Sequence, residues 1–259
     1  MGDTVPLEWL LRRDRRVAMA ALTAVVILAW AYLLLGAGMD MSAAMSGSAM
    51  PMAWSPGHAA LMTLMWALMM LAMMLPSAAP MILLHATVSR RRDPERGGHR
   101  AFLFTLGYAA IWCGFAVGAT AAQWALERAV LLTPAMSVGS TVVASLLFLG
   151  AGVYQFTPLK QACLQQCRSP LEFLVGQWRG GGTGAFIMGA HHGAYCVGCC
   201  WAVMVLLFVG GVMNIAWIAG LALLVLAEKL LPNGQLVGRV LGVGLISGGV
   251  LGLVAAIMV

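Results

Sequence analysis

Seven apolar runs, near residues 17–36, 59–84, 101–126, 138–156, 187–209, 213–230 and 237–259, constrain this chain more than anything else in it. About 20 apolar residues suffice to cross the hydrocarbon core of a bilayer. Inside lipid each backbone N–H and C=O must be satisfied within its own segment, which selects helices. The expectation is an all-α fold, a polytopic transmembrane helix bundle of about seven spans forming a single domain over residues 1–259. The composition agrees, with 61% of the 259 residues hydrophobic and 9% charged. The first run follows Arg12, Arg13, Arg15 and Arg16 and so resembles a signal peptide, but its length suits a retained first span.

Charge sets the orientation. With the odd spans running outward, 14 of the 15 Lys and Arg residues fall on one side and only Arg128 falls on the other. The positive-inside rule makes that side the cytoplasm and places the N-terminus there. The net charge of +6 is thereby accounted for without a nucleic-acid partner. The compartment expected is a bacterial inner membrane. Residues 37–58 become an outer loop rich in Met, including Met39 and Met41. Residues 157–186 become a cytoplasmic segment lying at the interface, with Cys163 and Cys167 one helical turn apart.

The chemistry concentrates in GAHHGAYCVGCCW, residues 189–201. On a helix His192, Cys196 and Cys199 stand at i, i+4 and i+7 and share a face, which Cys200 borders about 100° further round. Soft and borderline donors at that spacing suit Cu(I) or Zn(II). One helix face cannot encircle an ion, so Cys163, Cys167 or Glu228 are the donors available to complete the site. A helix beginning near 187 sets His192 about one turn from the inner surface and Cys199 on the order of 10 Å deeper. An intramembrane carboxylate such as Glu228 is costly and suspect as functional; the plain alternative pairs it with Lys229 or lets it snorkel.

Nineteen Met residues add a second pattern. Met62, Met65, Met69 and Met73 follow one stripe of the second span, which Pro76 and Pro80 should break or kink before it ends at His85. Thioethers hold Cu(I) without deprotonation, whereas thiolates hold it more tightly and release protons. Met outside, Met within and Cys and His inside therefore form a graded relay running Met39, Met41, Met62, Met65, Met69, Met73 and His85. The ordinary alternative for these Met residues is packing, since Met fills gaps in cores. Gly244, Gly248 and Gly252, at four-residue spacing in the last span, offer a close-packing face for a second copy or for another membrane subunit.

The blocks WALMMLAMMLPSAAP, TPLKQACLQQCRSP, GAYCVGCCWAVM and AEKLLPNG, spread over about Trp54 to Gly234, resemble the bacterial family of predicted metal-binding integral membrane proteins, a domain of unknown function. The resemblance implies a polytopic membrane protein with a metal site at these Cys and His positions, and no reaction. Copper is the ion expected, with zinc and iron as alternatives. Three functions compete. The first is copper handling, by Cu(I) acquisition, transfer or storage. The second is a membrane-embedded metal-dependent oxygenase subunit acting on apolar substrates through His191, His192, Glu228 and Asn214. The third is a structural subunit with inert Cys residues. A thiol-rich set beside an oxidising metal is prone to self-oxidation, which weighs against the second. No Walker A loop is present for primary pumping.

Overall fold

The computed structural model describes residues 7–35, 54–133 and 136–258, with side chains from Met19 onward. Met39 and Met41 lie outside these residues. Among the described residues the chain is all-helical, interrupted by one isolated bridge between Leu132 and Val138. The helices are α1 (Leu7–Leu34), α2 (Pro56–Arg92), α3 (Gly97–Arg128), α4 (Thr141–Tyr154), α5 (Pro158–Arg168), α6 (Pro170–Gln177), α7 (Gly181–Val205), α8 (Leu207–Gly210), α9 (Ile215–Leu230) and α10 (Gly234–Met258). Each of the seven apolar runs lies on a helix. Four helices are long and apolar enough to cross a membrane by themselves, or five if α4 and α5, bent by 65°, count as one broken span.

The helix starts are written in side chains. Ser55, Ser140, Thr157 and Asn214 each accept a hydrogen bond from a backbone N–H of the first turn of α2, α4, α5 and α9. Proline at the first position of α2, α5 and α6 fits the same logic, because its missing N–H would be unpaired there anyway. Asn214, a candidate in the oxygenase reading, is thus a helix cap.

One expectation about α2 changes. Pro76 and Pro80 do not end it, and it continues for 37 residues to Arg92. Around them the Ser77 hydroxyl donates to the Met74 carbonyl at 2.9 Å, and the Tyr108 hydroxyl reaches the same oxygen at 3.2 Å. Hydroxyls from the same and a neighbouring helix thus serve the disturbed turn, as interrupted helices in apolar surroundings require. The Met stripe faces the interior. Met62, Met65, Met69, Met70, Met73 and Met74 are all buried.

α3 lies between α2 and α7, and glycine brings α3 and α7 together. A Cβ on Gly189 would strike the Phe104 carbonyl, and one on Gly107 would strike that of Phe186. On Gly193 it would lie 3.1 Å from the Tyr108 carbonyl. Small residues allow such approach where burial of apolar surface cannot drive helices together. α10 packs on α4 through Gly242, Gly249 and Gly152. The Gly244, Gly248, Gly252 stripe is therefore split: Gly244 and Gly248 face open space, while Gly252 faces Ser145. Substituting Ala at Gly189 should destabilise the protein by about 1–3 kcal/mol or more through overpacking, whereas Gly244→Ala should leave stability unchanged or slightly raised. Thermal unfolding in detergent measures both, and equal melting of the two variants would refute the contact.

Candidate metal centre

Cys196 is the hub of the interior. Its sulfur accepts from the Lys229 ammonium at 2.8 Å and lies 3.1 Å from the Tyr108 hydroxyl. Cys199 and Cys200, on the next turn of α7, hydrogen-bond to the Cys196 carbonyl at 3.1 and 2.9 Å. Cys167 on α5 brings its sulfur to 3.9 Å from that of Cys199 and also neighbours Cys196. Cys200 meets the Met74 thioether at 3.9 Å. Four thiols and one thioether from three helices therefore share one buried space. All six cysteines are free.

α5 does not simply lie on the surface. The bend after α4 folds it against α7, where the absence of a side chain at Gly198 admits the Cys163 sulfur, 2.7 Å from where a Cβ would stand. Tyr154 holds the same carbonyl edge by donating to the Gly198 oxygen at 2.5 Å. The cysteines of α5 thus reach α7 through a short elbow and not from a peripheral layer. α7 also starts at Gly181, earlier than 187, so Cys196 is 15 residues in, roughly 22 Å at 1.5 Å per residue.

The remaining candidates have other partners. Glu228 does not pair with Lys229. Its carboxylate takes the Lys160 ammonium at 2.8 and 2.9 Å, and both side chains are buried. Arg168 caps the same corner by donating to the carbonyls of Glu228, Leu231 and Pro232. His192 is buried with its ring among Phe104, Tyr108 and Phe173, and its Nδ1 has no partner. His85 stacks on Phe104 at 4.5 Å, with Nε2 3.4 Å from the Ser89 hydroxyl and Nδ1 unpartnered. His191 is exposed. Cys113 is exposed.

Among the described residues no three His, Cys, Asp or Glu side chains stand ready-made around an ion. The hydrogen bonds explain this for Cys199 and Cys200, whose thiols are turned onto a carbonyl. Deprotonation removes the S–H donor and with it the reason for that orientation. Lys229 is the residue the sequence did not single out as functional. Beside Cys196 it touches only Ser77, at 3.1 Å, and it has no carboxylate contact among the described residues. A lone buried cation is costly unless an anion meets it. Its position next to Glu228 in sequence hid this, because adjacent residues on a helix point different ways.

An all-helical chain with long apolar helices and a buried sulfur cluster is the class these observations define. The chain belongs to the PpoB2 copper chaperone family, which matches it over residues 63–252. That stretch runs from the first turns of α2 into α10 and includes every cysteine. No curated protein and no solved structure matches. The family ties the chain to copper; zinc and iron gain no support.

The Lys160–Glu228 pair fixes α5 to α9 and thereby the elbow carrying Cys167. Lys160→Met should cost about 3–5 kcal/mol by leaving a buried carboxylate unpaired. Adding Glu228→Gln should recover most of the loss, and thermal unfolding of the two purified variants checks it. A double variant no more stable than the single one would contradict the pairing.

Proposed function

We propose that this protein is a bacterial inner-membrane copper carrier, with its N-terminus cytoplasmic, that receives Cu(I) through buried thioethers and holds it at Cys196, Cys199, Cys200 and Cys167. One observation carries the reading: a buried ammonium, Lys229, lies against the central thiol of a sulfur cluster and has no carboxylate partner among the described residues. Cu(I) between two thiolates carries a net charge of −1, and Lys229 brings the buried assembly to neutrality. A divalent ion with two thiolates would leave the lysine uncompensated. Sulfur donors select Cu(I) over harder ions in any case.

Transfer fits the arrangement better than storage alone. Met62, Met65, Met69, Met70, Met73 and Met74 place buried thioethers along α2, and the last of them touches Cys200. Met74 is 18 residues from Pro56, about 27 Å along the helix, close to one hydrocarbon thickness. An ion passing from sulfur to sulfur along this column would move from weaker thioethers to tighter thiolates. Hydrocarbon oxidation finds less support, because Asn214 caps a helix, Glu228 is neutralised by Lys160, and His191 is exposed.

Copper content after dialysis against a Cu(I) chelator tests the reading. Wild type and Cys113→Ser should retain the same copper, and a Cys196→Ser, Cys199→Ser double variant should retain less without losing helicity. Lys229→Met should keep all cysteines yet bind roughly 10–100-fold more weakly, as when an orienting partner is removed. Equal retention by wild type and the double variant would contradict the proposal.

A further inference from the structure

At the end of the bundle where α2 begins and α3 finishes, far from the arginine-rich turn between them, a second convergence of soft donors is built around Gln123. Its Nε2 is 2.9 Å from Glu127 Oε1, 3.5 Å from the Met136 sulfur and 3.7 Å from the Met62 sulfur. An amide nitrogen has two hydrogens, so three acceptors converge where two can be served. The amide cannot turn over without loss, because its oxygen accepts from Trp66 Nε1 at 2.8 Å. The other oxygen of Glu127 accepts from Trp54 Nε1 at 2.6 Å. No cation balances Glu127 among the described residues, and neighbouring Arg128 lies over the Trp124 ring instead.

Met136 adds an independent sign. It stands at φ 54°, in the left-handed region that a non-glycine residue adopts only under constraint. Its thioether lies over a fully buried Gln123, 3.5 Å from the amide nitrogen.

We propose that Met62, Met136 and Glu127 form an entry site for a soft monovalent ion, Cu(I) or Ag(I), which takes the position of the Gln123 amide nitrogen as that amide swings aside. Two thioethers need no deprotonation, and one carboxylate balances a single positive charge. Hard ions such as Ca²⁺ and Mg²⁺ are excluded because two of the three donors are sulfur. No electron transfer is involved. Met62 is also the first sulfur of the buried column on α2, 12 residues or about 18 Å from Met74. The site therefore feeds the path whose far end is the cysteine cluster, and in that role it rests on the copper reading above.

Titrating detergent-purified protein with Cu(I) against a chromophoric chelator separates the two sites. A variant with Ser at Cys167, Cys196, Cys199 and Cys200 should keep about one Cu(I) per chain, the count set by one three-donor site. Adding Met62→Leu and Met136→Leu should abolish it. A folded four-Ser variant that binds no Cu(I) would overturn the entry site and leave the cysteine site standing. Retention of all the wild-type copper by that variant would overturn the cysteine reading, and loss of one Cu(I) on adding Met62→Leu and Met136→Leu would then uphold the entry site. A measurement on the wild-type chain avoids dependence on buried substitutions: Ag(I) should slow peroxide oxidation of Met136, because a coordinated thioether lone pair is withdrawn from the oxidant. An unchanged oxidation rate of Met136 with Ag(I) bound would overturn the proposal.

Discussion

The contact between Lys229 and Cys196 is the constraint on which the interior depends. A buried ammonium has to find negative charge or a dense set of acceptors, and this one finds a thiol, a serine hydroxyl and three further sulfurs nearby. The neighbouring acid that would ordinarily neutralise it is used elsewhere. Glu228 is taken by Lys160, and that pair locks α5 against α9. Two adjacent residues at the end of α9 therefore do opposite things: one closes a structural joint and the other leaves a positive charge exposed to sulfur. The elbow of α5, held by the first, is what delivers Cys167 to the second.

Helix periodicity made part of this legible and sequence distance hid the rest. The apolar runs located all seven major helices, because in a low-dielectric environment length and hydropathy leave the backbone little choice. Their ends were less legible. α7 begins six residues before 187 and α2 runs eight residues past 84, since polar turns continue a helix wherever neighbouring helices support it. Within α7 the i, i+4, i+7 spacing put His192, Cys196 and Cys199 on one face, and all three are buried, but His192 enters an aromatic enclosure made by α3 and α6. That depends on Phe104, Tyr108 and Phe173, whose proximity no local pattern encodes. Lys229 and Tyr108 were hidden for the same reason. The Gly107, Gly189 and Gly193 contacts that bring Tyr108 to Cys196 join α3 and α7 across more than 80 residues of sequence.

Burial of the Met residues on α2 changes what they can do. Met62, Met65, Met69, Met70, Met73 and Met74 are all buried on α2, and the last of them lies 3.9 Å from the Cys200 sulfur. In the proposed transfer, the gradation from thioether to thiolate is what gives movement along α2 a direction. The copper chaperone family ties the chain to copper, and Met74 is the thioether that meets the cysteine cluster.

Copper K-edge absorption on wild-type protein loaded at the tightest equivalent is the most direct measurement of the central claim. The cysteine cluster predicts a first shell made of sulfur alone at low coordination number, unchanged in Glu228→Gln with Lys160→Met. A shell dominated by imidazole nitrogen or carboxylate oxygen would contradict it.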